Sequence, residues 1–298
     1  MKPAPFEYHR PQSRAEALAL LADHGNAKPL AGGQSLIPAM NFRLAMPEVL
    51  IDLNAVPDFS YIRNEDGTLR IGAMTRHRAV ERSDEVRQLA PLLHDAMPFI
   101  AHAAIRTRGT IGGSLAHADP AAELPAVMLA LGATIRLEKR GGSRDVRAGD
   151  FFTGLFSTAL EAGEIVSEIR IPSAPTPGVR STSAFLEFSR RRGDFALAGV
   201  AARLEIDGRG VCTSARIALF GVGDRPMLAS AGARALEGQV PTPELIRAAA
   251  DTIARDDIDP TSDIHATSKY RRHLAGVLTR RALERAMSKE MRSGGSGT

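Results

Sequence analysis

Apolar and polar residues recur along the chain with two different periods. From about Pro11 to His24, Ala and Leu return at the three- and four-residue spacing of an amphipathic helix, and Ser13 stands three residues before Glu16, as in a capping box. Similar spacing predicts further helices, at Pro91 to Ile105, Ala121 to Leu131, Pro243 to Arg255 and Lys269 to Met291. Compact apolar or alternating runs predict strands, at Pro47 to Leu53, Leu69 to Ala73, Ala133 to Leu137 and Ile165 to Ile171.

The segment Pro172-Ser-Ala-Pro-Thr-Pro-Gly178 interrupts this pattern, because its prolines cannot continue a helix or a central strand. We therefore expect the main domain boundary here. The chain then carries three strand-like runs, Ser183 to Phe188, Ala196 to Ile206 and Cys212 to Gly221, followed by the two C-terminal helices. Strands followed by helices predict an α+β lobe with an antiparallel sheet. We expect residues 291–298, which end in Ser-Gly-Gly-Ser-Gly-Thr, to be a disordered tail.

Composition restricts the classes of function. With 298 residues and 44% hydrophobic content, the chain can bury two or three cores. It has no run of about 18 apolar residues and no signal-peptide pattern, so we expect a cytoplasmic protein without a membrane span. Its one cysteine, Cys212, excludes an internal disulfide and any cluster built from several thiolates of this chain, and we expect it to be a buried, inert thiol.

A net charge of +4 does not indicate a nucleic-acid-binding protein. The 38 Lys and Arg residues are scattered among 34 Asp and Glu residues, which is typical of a solvated surface. The chain has no Trp and three Tyr, so it offers few rings on which bases could stack. We expect no nucleic-acid partner.

Two glycine-rich segments carry the candidate chemistry. The first glycine segment is Pro29-Leu-Ala-Gly-Gly-Gln-Ser-Leu-Ile-Pro38, in which adjacent glycines allow backbone N–H groups to converge on a phosphate and Ser35 adds a hydroxyl. Taken alone, this pattern is also that of a simple turn. Its spacing matches neither a Rossmann fingerprint nor a P-loop, so we expect neither fold.

The second glycine segment runs from Arg106 to Pro125 and contains Thr-Ile-Gly-Gly-Ser from Thr110 to Ser114, then the acids Asp119 and Glu123. We expect a loop that brings donors to a diphosphate while a carboxylate accepts hydrogen bonds from sugar-like hydroxyls. Two such segments in one chain fit a dinucleotide better than either does alone.

The two segments, with Leu50-Ile-Asp-Leu53, Arg191-Arg-Gly-Asp-Phe-Ala-Leu197 and Ser262-Asp-Ile-His265, resemble the FAD-binding medium subunit of molybdenum hydroxylases. This family contains carbon monoxide, quinoline and nicotine dehydrogenases and is related to the flavin domain of xanthine dehydrogenase. The resemblance implies a vanillyl-alcohol-oxidase-type (PCMH-type) FAD-binding domain in two subdomains, residues 1–57 and 58–175. A C-terminal domain with a three-stranded antiparallel sheet and helices would occupy residues 179–290.

The resemblance also implies the residues that contact FAD. The first glycine segment would wrap the pyrophosphate, Thr110, Gly113 and Ser114 would form a second wall, Glu123 would lie near the ribityl or ribose hydroxyls, and Ile100 and Val166 would be apolar contacts. The residues of the first segment are Leu30, Ala31, Gly32, Gly33, Gln34, Ser35, Leu36 and Ile37. One departure concerns Leu186 and Glu187, which stand near the place where xanthine dehydrogenase relatives have a lysine close to the flavin.

Several neighbouring residues keep two interpretations. His117 and Asp119 either form a proton relay beside the flavin or hold the shape of their loop. The turn Arg190 to Asp194 either faces the flavin or a partner, or is a basic turn stabilised by one Asp. His265 is interpreted as a structural or subunit-contact residue rather than a cofactor ligand. We expect no catalytic residue and no metal site in this chain.

The family implies electron transfer. A large partner subunit would hold the molybdenum cofactor and hydroxylate an N-heteroaromatic substrate or oxidise carbon monoxide, a small partner would carry 2Fe–2S clusters, and FAD on this chain would pass electrons to an external acceptor. The expected assembly is a dimer of heterotrimers. Two alternatives remain: a stand-alone flavin oxidase of the same fold, and an assembly subunit without flavin.

Overall fold

The structure is a computed structural model that describes residues 2–174 and 176–294. The strands are β1 (Glu7–His9), β2 (Ala27–Leu30), β3 (Val49–Asp52), β4 (Ile62–Glu65), β5 (Thr68–Gly72), β6 (Thr134–Lys139), β7 (Gly142–Arg147), β8 (Phe152–Gly154), β9 (Ser157–Thr158), β10 (Ile165–Pro172), β11 (Val179–Ser189), β12 (Ala196–Asp207), β13 (Cys212–Phe220) and β14 (Met227–Leu228). The helices are α1 (Arg14–Asp23), α2 (Leu36–Asn41), α3 (His77–Arg82), α4 (Asp84–Leu89), α5 (Pro91–Ala96), α6 (Ala103–Arg106), α7 (Ile111–His117), α8 (Glu123–Leu131), α9 (Ala148–Phe151), α10 (Ser230–Leu236), α11 (Pro243–Thr252) and α12 (Ser268–Gly294).

A small parallel sheet forms the N-terminal part, with strand order β1-β3-β2. The predicted first helix is confirmed as α1, and the side chain of Ser13 accepts the Glu16 N–H at 3.2 Å at its start. The apolar face of α1 packs with β3 and Phe59 in one core. In the β2–β3 register Leu30 lies opposite Asp52, so the residues that follow both strands emerge at the same edge.

A five-stranded antiparallel sheet follows, with order β4-β5-β10-β6-β7. Strands β5, β6 and β10 coincide closely with three of the predicted strands. Helix α8 covers this region, and all of its residues are buried, including the acidic Glu123. The prediction of a buried helix here is confirmed.

The C-terminal part is an antiparallel sheet of order β11-β12-β13-β14 with helices against one face. The three predicted strands are confirmed, and the short β14 adds a fourth. Strands β11 and β12 extend beyond their predicted bounds, whereas β13 ends one residue earlier, at Phe220. Along β11, Ala184 belongs to the core that contains α12, whereas Phe185 belongs to the core that contains α8. One face of this sheet therefore packs on the N-terminal half of the molecule.

Four details differ from the sequence-based predictions. The helix expected from Pro91 to Ile105 is broken after α5, because a 3-10 turn containing Pro98 leads into Ala101, whose φ of 45° cannot continue a helix. The second glycine segment, expected to be a loop, forms helix α7. Helix α11 ends at Thr252 and continues as a π-helical turn, and α12 extends to Gly294. The last residues of the predicted disordered tail, 295–298, lie outside the described residues.

No helix within the described ranges combines the length and apolar character needed to span a membrane. Cys212 is fully buried, and burial raises the pKa of its thiol to about 11. The expectation of a buried thiol is confirmed, and its raised pKa favours the protonated form, which is the less reactive one.

Candidate functional site

The first glycine pair lies in the turn that joins β2 to α2. Gly33 has a φ of +71°, a left-handed conformation that glycine adopts without strain. Within the described part of the chain, the backbone N–H groups of Gly32, Gly33 and Gln34 donate to no protein acceptor. Free N–H groups in succession are the basis of anion-binding concavities in proteins. The turn can therefore donate several hydrogen bonds to an anionic ligand.

An open cleft of about 380 Å³ lies beside this turn. Six of the sequence-predicted residues line it: Leu30, Ala31, Gly32, Gly33, Gln34 and Ile37. Pro38, Asp52, Asn54 and Arg108 complete the lining. Ser35 and Leu36, which were also predicted, lie next in the chain and are not part of it.

The second glycine segment is a capped helix rather than a loop. Thr110 is the N-cap of α7, and its hydroxyl accepts the N–H of Gly113 at 3.1 Å. Ile111 and Leu115 face the core and are fully buried, and Ala118 ends the helix in a left-handed conformation. Burial of one helix face outweighs the low helix propensity of the glycine pair.

The two glycine segments touch each other through their glycines. A Cβ atom on Gly32 would overlap the Arg108 carbonyl and lie 2.8 Å from the Cα of Gly109. A Cβ on Gly113 would lie 3.4 Å from the Cβ of Ala31. Only glycine at position 32 allows this approach, so the two segments adjoin each other. Arg108 of the second segment lines the cleft, whereas Thr110, Gly113 and Ser114, which were predicted to form its second wall, are not among the lining residues.

The chain from Ala73 to His77 holds the second segment in place. Gly112 N–H donates to the Ala73 carbonyl at 2.8 Å, Ile111 N–H donates to the Thr75 carbonyl at 3.1 Å, and His77 N–H donates to the Gly109 carbonyl at 2.9 Å. A Cβ on Gly112 would overlap Ala73. The second segment is therefore a fixed wall.

His77 adds a side-chain contact to this wall. Its Nε2 lies 2.9 Å from the Thr110 carbonyl oxygen, and because a carbonyl only accepts, Nε2 carries the proton. Its Nδ1 is buried without a hydrogen-bond partner among the described residues. Burial lowers the pKa of His77 to about 4, and the nearby cations Arg106 and Arg76 contribute. The ring is neutral at neutral pH.

A polar bridge links the two segments from the side. Asn54 Nδ2 donates to the Ala31 carbonyl at 2.9 Å, and Asn54 Oδ1 accepts from Arg76 Nη2 at 2.5 Å. Arg76 Nη1 donates to the Arg108 carbonyl. The bridge thus connects the first segment, through Asn54 and Arg76, to the second.

Asp52 sits at the base of this bridge. Its carboxylate accepts the Tyr8 hydroxyl at 2.5 Å and the Asn54 N–H at 2.9 Å. Burial alone would raise the pKa of Asp52, but these hydrogen bonds outweigh it and hold the pKa below its usual value. Asp52 is therefore a charged, hydrogen-bonded carboxylate in the cleft lining.

Two carboxyl groups outside the cleft lining, those of Glu123 and Glu187, have raised rather than lowered pKa values. Glu123, at the first position of α8, is buried, and burial together with the charge of Asp119 raises its pKa to about 7. Burial and the proximity of Glu123 raise the pKa of Glu187 to about 8. The Glu187 Oε2 is shielded from solvent and has no hydrogen-bond partner among the described residues. The pair retains protons near neutral pH and can both donate to and accept from hydroxyl groups.

Residues near this pair take part in local structure. Asp119 accepts the Ala121 N–H at 2.8 Å, and the Pro120 carbonyl accepts the Gly221 N–H at 2.8 Å, which fixes the turn after α7. The His117 ring lies 5.2 Å from the Phe156 ring, and burial lowers its pKa. Asp119 thus has the loop-shaping contact that the sequence analysis held as one of its two interpretations.

The remaining predicted positions lie away from the cleft lining. Ile100 and Val166 are 6% and 7% exposed and belong to the core that contains α8. In the basic turn, Asp194 N–H donates to the Arg191 carbonyl at 3.1 Å, and Gly193 lies against the His102 ring. The backbone of His265 donates to Asp263, which pairs with the buried Arg271 at 2.6 Å.

Sequence reasoning did not select Asp52, Asn54 and Arg108. Asp52 and Asn54 reach the cleft because the parallel β2–β3 pairing carries the end of β3 to the end of β2. The available indication was the run Leu50-Ile-Asp-Leu53, which was recognised as a strand and as part of the family resemblance but not as part of the site. Arg108 precedes the second glycine pair and reaches the cleft through the close approach of Gly32.

The free N–H groups beside the cleft fit an anionic ligand, and comparisons with known proteins agree with a cofactor that contains phosphate. Residues 4–174 match the family described as the FAD-binding domain in molybdopterin dehydrogenase. Residues 183–286 match the carbon monoxide dehydrogenase flavoprotein C-terminal domain. Together the two matches cover most of the chain.

Individual relatives are similar over nearly their whole length. The chain is 40% identical to the 6-hydroxypseudooxynicotine dehydrogenase complex subunit alpha of Paenarthrobacter nicotinovorans, over 96% of each chain. It is 41% identical to the carbon monoxide dehydrogenase medium chain of Afipia carboxidovorans, over 97% of this chain and 99% of that one. Among solved structures, carbon monoxide dehydrogenase from Hydrogenophaga pseudoflava matches with a TM-score of 0.92 and 40% identity, over 97% of this chain and 99% of that one.

Proposed function

The chain belongs to the family of FAD-binding medium subunits of molybdenum hydroxylases, and from this premise we propose that it transfers electrons from partner-bound iron-sulfur clusters to an external acceptor. The observation that carries the proposal is the meeting of the two glycine segments. Gly32 packs on the backbone of Arg108 and Gly109 beside a turn whose N–H groups are free. Such a junction suits a dinucleotide diphosphate.

The residues proposed to hold FAD come from both segments and from the elements around them. The turn after β2 donates backbone N–H groups to the diphosphate, and the start of α7 supplies the facing wall. Glu123 serves the ribityl or ribose hydroxyls, and two apolar residues line the ring systems. The set is Leu30, Ala31, Gly32, Gly33, Gln34, Ser35, Leu36, Ile37, Ile100, Thr110, Gly113, Ser114, Glu123 and Val166.

When bound, FAD supplies the ability to exchange electrons one or two at a time. The protein's own residues bind it, orient it and hold protons nearby. The free N–H groups of Gly32, Gly33 and Gln34 would bind the diphosphate beside a second segment that the Ala73 to His77 chain holds in place. Glu123 and Glu187 keep protons close to the proposed ribityl position near neutral pH.

The division of labour among subunits is part of the proposal. Cys212 is the chain's single cysteine and is buried, so the 2Fe–2S clusters belong to a small partner. A large partner holds the molybdenum cofactor and the substrate, which we propose to be an N-heteroaromatic compound or carbon monoxide. The assembly is a dimer of heterotrimers in the cytoplasm. Within this chain, residues 1–57 and 58–175 act as the two FAD-binding subdomains and residues 179–290 as the C-terminal domain.

Reconstitution with the partner subunits tests electron transfer directly. The three subunits are produced together, and the holoenzyme is mixed with its substrate without oxygen while the flavin absorbance is followed. We expect bleaching of the flavin, and return of its colour when an acceptor is admitted. The control assembly carries Gly113→Val in this chain, a change that narrows the contact with Ala31 and Thr110. Clusters that are reduced while a bound flavin stays oxidised would contradict the electron-transfer role.

A further inference from the structure

Arg108 lies at the edge of the cleft. It is the one basic residue among the described residues that line the cleft, and its side chain is exposed. Its backbone is hydrogen-bonded to Ile105 and Arg76, whereas its guanidinium forms no hydrogen bond or ion pair with another described residue. Arg106, two residues earlier, is the opposite case. Its guanidinium donates to both Glu81 carboxylate oxygens at 3.1 Å and to the Ile100 carbonyl at 2.9 Å. Arg106 has a structural role, whereas Arg108 is available to a ligand.

A second guanidinium lies close to Arg108. Burial lowers the pKa of Arg76, the positive charge of Arg108 lowers it further, and the negative charge of Asp52 offsets part of this lowering. The carboxylate in the cleft, Asp52, is already engaged by the Tyr8 hydroxyl and the Asn54 N–H. Two neighbouring like charges repel, and an anion placed between them relieves that repulsion.

The free N–H groups of the first segment complete the arrangement. Gly32 packs directly on the Arg108 carbonyl, so the turn that carries the free N–H groups adjoins the residue that carries the free guanidinium. Arg76 donates a hydrogen bond to the Arg108 carbonyl and another to Asn54, which in turn donates to the Ala31 carbonyl of the first segment. The free backbone donors and the residue that carries the cation thus line the same cleft.

On the basis of the proposed FAD function, we infer that Arg108 is a further cofactor-binding residue that pairs with the diphosphate, and that Arg76 is the positioning residue that sets its backbone. A guanidinium suits this task because its planar set of donors matches phosphate oxygens. The guanidinium of Arg76 also places positive charge close to the proposed diphosphate position.

FAD titrations of three variants of the full chain test the inference. Arg108→Met removes the charge and keeps the length, Arg108→Lys keeps the charge without the planar fork, and Arg87→Met is the control, since Arg87 is exposed and pairs with Asp84 on α4. Each chain is titrated with FAD at low and high salt, and inorganic pyrophosphate is used as competitor. Thermal unfolding without FAD is recorded in parallel.

We expect Arg108→Met to raise the Kd for FAD by about 10- to 100-fold at low salt, the size of a lost charge-assisted hydrogen bond. The salt dependence of the Kd should shrink, and pyrophosphate should compete less well. Arg108→Lys should recover part of the affinity, and the control should bind normally. The FAD-free unfolding temperature should not change, because Arg108 is exposed.

An Arg108→Met chain that binds FAD within about twofold of the unaltered chain, with the same salt dependence, would overturn the inference and leave the FAD function intact. A loss of affinity shared by Arg87→Met would also overturn it. If the unaltered chain bound no FAD even with its partner subunits present, the proposed function would fall and this inference with it.

Discussion

The two glycine segments are similar in sequence and different in structure. Both carry adjacent glycines followed within two residues by a serine, yet the first forms an open turn with free N–H groups and the second begins a buried helix. In the first, Gly33 needs its left-handed φ, and in the second, Gly112 needs the space against Ala73. The same residue type therefore serves ligand access in one segment and packing in the other.

This difference assigns separate tasks to the two walls of the cleft. The second wall is held by three backbone hydrogen bonds and by the His77 ring, so its position is set by the fold. The first wall touches it through Gly32 and is linked to it by Asn54 and Arg76. Changes in the second wall should lower stability, and changes in the first should lower cofactor affinity.

The largest effect is expected for Gly112→Ala. The added methyl overlaps Ala73 and disturbs the 2.8 Å hydrogen bond to its carbonyl, so we expect the free energy of unfolding to fall by about 3 kcal/mol, with or without FAD. Urea unfolding measures this change. Gly149→Ala is the matched control, because no atom lies within 4 Å of its added methyl. Equal stability of the two variants would contradict the idea of a packed second wall.

Gly32→Ala should weaken FAD binding while leaving the chain folded. Its methyl overlaps the Arg108 carbonyl and pushes the exposed first segment outward, so we expect FAD to bind about 100-fold more weakly while the chain stays folded. Fluorescence titration gives the affinity, and circular dichroism reports the fold. Gly25→Ala, in the open turn after α1, is the control with no neighbouring atom. Unaltered FAD affinity in Gly32→Ala would rule out this junction as the site.

The lowered pKa of His77, which contacts the second segment, predicts that the stability of the chain depends on pH. Its pKa is about 4 in the folded chain against 6.5 as a free side chain, so between these values the unfolded chain binds more protons and stability falls as the pH falls. From about pH 7 to about pH 4.5, the unaltered chain should lose about 2 kcal/mol more than His77→Gln. Urea unfolding of both proteins at both pH values isolates the difference, since other groups titrate in both. If both proteins lost the same stability between the two pH values, His77 would not be held neutral in the folded chain.

The smallest effect is expected for Asn54→Ala, which removes the middle of the polar bridge. The Ala31 carbonyl and Arg76 lose one hydrogen bond each, and water can replace part of both at this partly exposed site. We expect about a fivefold loss of FAD affinity, or about 1 kcal/mol. Asn64→Ala, on the exposed side of β4, is the control. An effect as large as that of Gly32→Ala would mean that the bridge, rather than the glycine, sets the spacing of the walls.

Local patterns predicted much of the fold. The capping residue Ser13 and the apolar spacing that follows it were sufficient for α1, and the runs beyond Pro172 were sufficient for the long strands β11 to β13. Strands β1 and β2 were not predicted, because they are three and four residues long and Pro29 lies within the second. Their stability comes from pairing with β3, a contact distant in sequence.

The candidate site could likewise be predicted only in part, because some of its residues come together through contacts distant in sequence. The glycine segments were found from their local sequence, the family resemblance implied the individual contact residues, and six of these line the cleft. Asp52 and Asn54 could not be placed there without the β2–β3 register, and Arg108 could not be placed without the approach of Gly32. The helical nature of the second segment was masked by its glycines, although Ile111 and Leu115 stand at the four-residue spacing of a buried helix face.

We propose that this chain holds FAD without a covalent bond, and a visible absorption spectrum of the purified chain is the decisive test. The spectrum is recorded before and after incubation with FAD, and any released flavin is identified by chromatography. We expect an oxidised-flavin spectrum, with FAD released intact when the protein is denatured. A folded chain that stays colourless with added FAD, alone and in complex with its partner subunits, would contradict it.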